Sequence, residues 1–280
     1  QGVSSAASDV YKRQLLNLVP RNVDTSATRG LIMKPVAIVT GGARGIGRAC
    51  ALALVERNHD IALIDLREPE MASTKLELEA KGSKVLTFAA DVSDFTRAHD
   101  IVHEAYGHWN HIDVLVNNAG GPNPKGILDI TEQEFDRTIS VNLKSCFNYI
   151  HAIAPIMLKQ EHGGRIVSMS SLNALSGGVT SAVSKHSYAA AKAGILGLTR
   201  SLAKELGPLI AINAICPGVI KTEIGNDLTR SREPELIKGI ALNRLGNPKD
   251  VAELVAFLCT NKEMFITGQH FVVDGFQWVC

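Results

Sequence analysis

The chain has 280 residues, 45% of them hydrophobic and 20% charged, with 24 glycines and a formal net charge of +1. That composition fits a globular α/β protein and argues against a fibrous or disordered one. The near-neutral charge argues against a nucleic-acid partner, and no apolar run approaches the ~18–20 residues of a membrane span.

Residues 1–33 stand apart. They are rich in Ser, Ala and Asn, and the apolar stretch at 15–19 is shorter than the roughly 7–15 residues of a signal-peptide core. They read as a disordered or extraneous tail, with Met33 as the natural start and one domain over residues 34–280. Cys50, Cys146, Cys216, Cys259 and Cys280 form no CxxC pair. Such spacing argues against a zinc site and for reduced thiols in a cytoplasmic protein.

From Lys34 onward strand and helix alternate. The first strand is expected at 36–40, an unbroken apolar run of the kind a sheet covered on both faces requires. Helix follows at 45–57, strand at 60–65, and an amphipathic helix at 68–81 that Gly82 stops. The third strand spans 84–89, a helix 94–106, and the fourth strand 113–116. One long helical region is expected over 131–159. Its start is marked by Thr131 and Glu134 in capping-box spacing, and Pro155 is expected to kink or divide it. Strand at 164–169, helix at 187–206, strand at 211–215, helix at 248–258 and strand at 269–273 complete the series. The alternation predicts an α/β, Rossmann-type doubly wound domain. Its seven-stranded sheet should be largely parallel with helices on both faces, and any ligand should sit at the carboxyl ends of the strands.

One loop in this series suits a dinucleotide. Thr40-Gly41-Gly42-Ala43-Arg44-Gly45-Ile46-Gly47 joins the first strand to the first helix. Gly41, Gly45 and Gly47 permit a tight turn and a close approach of backbone to phosphate, and the helix N-terminus adds free N–H groups. Arg44 and Ile46 belong to the same cradle. Asp65 ends the next strand, where a carboxylate accepts both ribose hydroxyls of NAD and repels the 2′-phosphate of NADP. Leu66 adjoins it. Arg44 and Arg67 pull the other way, since either can pair with a phosphate. The balance favours NAD, with NADP as the alternative. Asp91 and Val92, after the third strand, are candidates for the adenine edge. Asn117, Asn118, Ala119 and Gly120 end the fourth strand, where small residues let a cofactor lie against backbone.

A second motif carries chemistry. Tyr188 and Lys192 are i and i+4 on an expected helix and so share a face. An ammonium beside a phenol favours the phenolate, which suits a tyrosine to general acid–base work. The histidines at 59, 99, 103, 108 and 111 make no metal-ligand pattern and are expected at the surface, so no metal is assigned.

With these motifs together, residues 34–275 resemble the short-chain dehydrogenase/reductase family in its single-domain form. The match rests on the loop at 40–47, Asn-Asn-Ala-Gly at 117–120 and the helix around Asn142. It continues through a serine after the fifth strand, Tyr-x-x-x-Lys at 188–192, Pro217-Gly218 through Thr222, Ile266-Thr-Gly, and Val273-Asp-Gly275. Members that act as 3-oxoacyl-carrier-protein reductases or as sugar and polyol dehydrogenases resemble it most. The resemblance implies hydride transfer between NAD(P) and a carbonyl or secondary alcohol, without a metal. Tyr188 would be the proton donor, Lys192 would also hold the nicotinamide ribose, and Asn142 would hold a water for proton relay. Ser171 would polarise the substrate oxygen, with Ser170 and Ser176 as alternatives. Pro217, Gly218, Val219 and Thr222 would border the nicotinamide, and residues 224–242 would form a mobile lid. Ser171 and Tyr188 are 17 residues apart, where the family spacing is about a dozen. The extra residues are expected within 172–187, where Ser184, Lys185 and His186 would border the substrate mouth. A small-molecule alcohol or ketone substrate and a homotetramer are implied. The alternatives are an NADPH-dependent 3-oxoacyl reductase, a non-catalytic NAD(P)-binding regulator, and an epimerase or dehydratase of the longer related type. The complete motif set opposes the regulator, and the short chain end opposes the epimerase.

Overall fold

The computed structural model describes residues 33–178, 184–223, 233–261 and 263–277. The expected tail falls outside the described residues but for Met33, as do 179–183 of the expected insert and 224–232 of the expected lid. From Pro35 onward the chain clusters into one compact unit.

The strands are β1 (Val36–Thr40), β2 (Asp60–Asp65), β3 (Val85–Ala89), β4 (Val114–Asn117), β5 (Gly164–Met169), β6 (Ile210–Pro217) and β7 (His270–Val273). They lie in the order β3-β2-β1-β4-β5-β6-β7, and every pairing is parallel. The helices are α1 (Gly45–Val55), α2 (Glu68–Ala80), α3 (Phe95–Trp109), α4 (Glu132–Ile139), α5 (Ser145–Met157), α6 (Asn173–Ser176), α7 (His186–Leu206), α8 (Glu233–Lys238) and α9 (Pro248–Thr260).

The continuous apolar runs of the central strands are explained by two cores. Successive β1 side chains point to opposite faces. Val36 and Ile38 pack with Ile101 of α3, Tyr149 and Ile153 of α5, and Ala203 of α7. Ala37 and Val39 pack with Leu54 of α1, Leu78 of α2 and Val255 of α9. Strand order reverses at β1: β2 and β3 lie to one side, and β4 to β7 to the other. The loops after β1 and β4 therefore part and open a crevice at the carboxyl edge, the place such sheets offer a ligand.

Two expectations are corrected. The long helical region is divided at residues 140–144, not at Pro155. A π turn, Ser140–Lys144, separates α4 from α5, while Pro155 lies inside α5 in its last turn and the helix runs on to Met157. Proline removes one backbone donor, but so near a helix end it disrupts little. The π turn admits an extra residue, Asn142, whose amide is drawn to the neighbouring loop. His59 is buried at 4% exposure, because its Nδ1 sits 3.1 Å from the Leu54 carbonyl and 3.0 Å from that of Arg57, covering the end of α1. Burial holds its imidazole below the ordinary range. Cysteine thiols at 50, 146, 216 and 259 are free and buried, and burial pushes each of them up, so none is a ready nucleophile.

No helix among the described residues is long and apolar enough to cross a membrane.

Candidate active site

The crevice is stitched before anything binds in it. Thr40 Oγ1, at the end of β1, accepts the backbone N–H groups of Asn118 at 3.0 Å and Ala119 at 3.1 Å. The Asn118 side-chain amide donates back to the carbonyls of Thr40 at 3.0 Å and Gly41 at 3.1 Å. Asn118 thus acts as a clamp between the two loops. Thr40, its partner, was a motif residue in the sequence without a role of its own. Gly41 turns the chain at φ +65, a left-handed value that suits glycine, and donates to Ile64 O at 2.7 Å.

These loops and the ends of β5 and β6 enclose a cavity of about 390 Å³. Of the candidate residues, Gly41, Arg44, Ile46, Asp65, Asn118, Ala119, Gly120, Ser171, Tyr188, Lys192, Pro217, Gly218 and Thr222 line it. Gly45, Gly47, Leu66, Asp91, Val92, Asn142 and Val219 are not among the lining residues. Gly45 and Gly47 open α1 just behind the wall, and Leu66 is exposed. Val219 faces the chain end, its N–H donating to Gln277 Oε1 at 3.2 Å. The Asp91 carboxylate is engaged elsewhere. Burial would raise it, but the Ser93 N–H and hydroxyl and the Arg137 guanidinium outweigh burial and hold it below the usual carboxylate range. Residues not singled out as candidates also line the cavity: Gly121, Pro122, Met169 and Ile220. They carry no polar signature that a sequence could advertise.

At the far end of the cavity, α7 is docked on β5 through Lys192. Its ammonium donates to Met169 O at 2.7 Å, and its own carbonyl accepts from Ser170 Oγ at 2.7 Å. The side chain is 3% exposed, and Nζ lies 5.6 Å from the centroid of the Tyr188 ring. A cation so placed is attracted to the ring and, more strongly, to a phenolate. The three candidate serines separate by what they bond. Ser170 anchors Lys192, and Ser176 Oγ donates to Leu172 O at 3.1 Å within α6. Ser171 Oγ accepts the Asn173 N–H at 3.2 Å, which leaves its proton free to donate, and it lines the cavity with Tyr188. The long spacing between Ser171 and Tyr188 therefore leaves both on one cavity.

Asn142 is 1% exposed and does not reach the cavity. Its Oδ1 accepts the Gly121 N–H at 3.1 Å, and its Nδ2 donates to Gly121 O at 3.0 Å and Thr138 O at 3.0 Å. It fastens the loop after β4 to the π turn. Asn142→Ala is expected to lower stability by about 1–3 kcal/mol, because the buried Thr138 carbonyl and the half-buried N–H and carbonyl of Gly121 lose their partner; urea melts measure this. An unchanged melt would mean that the loop is held by other contacts.

The parts fit a dinucleotide. The Arg44 Nε is buried on the cavity wall without a hydrogen-bond partner, and Gly41 and Gly47 let the loop after β1 pack closely on itself and on the loop after β4. Asp65 lines this cavity together with Pro217, Gly218, Thr222 and Tyr188.

Comparison with known proteins agrees. Residues 41–275 match the sequence family described as enoyl-(acyl carrier protein) reductase. The 3-oxoacyl-[acyl-carrier-protein] reductase FabG of Staphylococcus epidermidis is 36% identical over 245 residues, which is 87% of this chain and 98% of that protein. The oxidoreductase UcpA of Salmonella typhimurium is 35% identical over 255 residues, covering 88% of this chain and 95% of that protein. Among solved structures, a short-chain dehydrogenase/reductase from Brucella melitensis titled glucose/ribitol dehydrogenase superposes with a TM-score of 0.81 at 30% identity. That likeness covers 88% of this chain and 97% of that one.

Proposed function

We infer the reaction from one premise: the chain belongs to the short-chain dehydrogenase/reductase family. It is an NAD(P)-dependent oxidoreductase acting on alcohol and ketone groups. Within that chemistry we assign the proton transfer to Tyr188. The observation that carries the assignment is the Lys192 ammonium, fixed 5.6 Å from the Tyr188 ring in a cavity that Ser171 also lines.

Pro217, Gly218 and Thr222 would hold a nicotinamide, which would supply hydride for reduction and take it up in oxidation. In reduction Tyr188 gives its phenolic proton to the substrate oxygen; in oxidation it takes the hydroxyl proton. The Lys192 ammonium stabilises the phenolate. Its place does not depend on the phenol, since Met169 O and Ser170 hold it. Ser171 donates its hydroxyl proton to the same substrate oxygen and so fixes where that oxygen sits.

The preferred cofactor is NAD. Asp65 is 7% exposed, and its carboxylate is anchored by the N–H groups of Ala43 and Arg67, each at 3.1 Å. Its charge cannot swing away from an arriving 2′-phosphate. Arg67 lies with Nη1 3.6 Å from that carboxylate, which offsets its pull on a phosphate, whereas the unpartnered Arg44 Nε favours the opposite choice. Asp65→Asn is expected to shift the ratio of NADH to NADPH affinity by roughly tenfold to a hundredfold toward NADPH, the scale of one charge–charge interaction in a partly wet site. Titration by nicotinamide fluorescence reads this directly. A ratio unmoved by the substitution removes Asp65 as the discriminator.

In a second reading the reaction is NADPH-dependent reduction of a 3-oxoacyl thioester; the name of the Staphylococcus epidermidis relative favours that substrate. A panel of polyols, ketones and 3-oxoacyl thioesters separates the two. The substrate in either case is a small molecule. Residues 34–280 are read as a single domain, and family membership supports a homotetramer, whose mass gel filtration gives. The free cysteines support a cytoplasmic setting.

A further inference from the structure

The first turn of α1 is met by an anion from the protein itself. Helix α1 has no acidic residue in its first turn, and Arg44 before it makes no side-chain cap. Glu223, next to Thr222 and 178 residues away from Gly45, fills that role: its Oε2 accepts the Gly45 N–H at 3.1 Å. Its Oε1 lies 3.5 Å from Arg48 Nη1. Arg48 is held separately by Glu77 at 2.6 Å, so its position does not depend on Glu223.

A helix N-terminus that opens a phosphate-binding loop offers its free N–H groups and partial positive charge to one anion at a time. Glu223 takes an N–H of that helix terminus just behind the cavity wall, and a pyrophosphate drawn to the same terminus would meet it as a second anion, which it repels. We propose that Glu223 is an internal competitor for the pyrophosphate: it caps α1 while the crevice holds no cofactor and is displaced when a dinucleotide enters. It thereby lowers cofactor affinity and speeds release. This inference rests on the reading of the crevice as a dinucleotide site. The contact is suited to such exchange. The Glu223 side chain is 60% exposed, so its ion pair is screened and breaks readily. Thr222 lines the cavity and adjoins Glu223, so departure of the carboxylate is coupled to the wall expected to border the nicotinamide.

The test compares the parent protein with Glu223→Gln and Glu223→Ala. Thermal melts without ligand report first on the cap, and both variants should melt slightly lower. NADH titration by fluorescence should then show both variants binding about three- to tenfold tighter, because the capped, binding-incompetent state no longer takes up part of the protein. Inorganic pyrophosphate alone should raise the melting temperature of the variants more than that of the parent. Equal or weaker NADH binding with an equal response to pyrophosphate would overturn the inference and leave the functional reading intact. A pyrophosphate response confined to the variants, with no NADH binding by any protein, would sink the functional reading instead while keeping Glu223 as the occupant of an anion subsite.

Discussion

Tyr188→Phe is expected to cut turnover by about 10²–10⁴-fold, the usual contribution of a positioned general acid, while NADH affinity and the melting temperature stay near the parental values. The expectation of intact binding comes from how the neighbours are held. Lys192 is fixed by Met169 O and by Ser170, and Ser171 is fixed by the Asn173 N–H. None of these contacts uses the phenolic oxygen. The ring itself remains, so the half-buried packing at the start of α7 is kept. What disappears is the proton that must reach the substrate oxygen. Steady-state kinetics in both directions, with fluorescence titration of NADH, measures the split between catalysis and binding. Retention of near-full turnover would show that another group moves the proton.

Gly47→Ala should be equally damaging, for a different reason. A Cβ at 47 would overlap the Gly41 carbonyl oxygen and lie 2.7 Å from its carbonyl carbon. Neither atom belongs to a flexible side chain. Gly41 is pinned by its N–H to Ile64 O at 2.7 Å and its carbonyl accepts from Asn118 at 3.1 Å, so the loop cannot yield without undoing the stitch between β1 and β4. NADH binding should fall by more than tenfold and stability by about 1–3 kcal/mol, the scale of overpacking. Gly107→Ala is the control. Gly107 is exposed in α3 with nothing within 4 Å of the added carbon, so the same change there should stabilise by about 0.4–1 kcal/mol. Urea melts and NADH titrations of the two proteins make the comparison. Equal behaviour at the two positions would refute the steric argument.

What could be read in the sequence was whatever chemistry writes into neighbouring residues. The strand runs at 36–40, 60–65 and 164–169 were legible because a sheet covered on both faces favours mostly apolar stretches, unbroken in the first, and their bounds match β1, β2 and β5. The loop at 40–47 and the Tyr188–Lys192 pair were legible because each function is packed into a few adjacent positions. The π turn was not. Proline is an audible signal in a helix and Asn142 a quiet one; the amide's demand for Gly121, 21 residues back, appears only when the two are folded together. His59 was misplaced for the same reason, since the carbonyls that bury it belong to the turn closing α1. Asn118 was read as a cofactor contact and lines the cavity; its further task, holding Thr40 and Gly41 through its side-chain amide, was not legible. Glu223 had no reading at all, because an acid next to Thr222 gives no hint of a partner 178 residues away.

The stitch from Thr40 to Asn118 also sets when the crevice comes into being. It closes 78 residues of chain and joins β1 to β4, with β2 and β3 on the far side of β1. Loop closure of that length adds an entropic term that grows only as about (3/2)RT ln n, but parallel pairings across long separations slow the search for the native topology. A chain emerging from the ribosome has no dinucleotide cradle when the glycine loop appears, and acquires one only once residue 119 has followed. A cofactor that needs both loops therefore has no complete site on a chain that stops short of residue 119. It can act only on chains whose central strands have already met, and by mass action it then holds those chains in the folded pool.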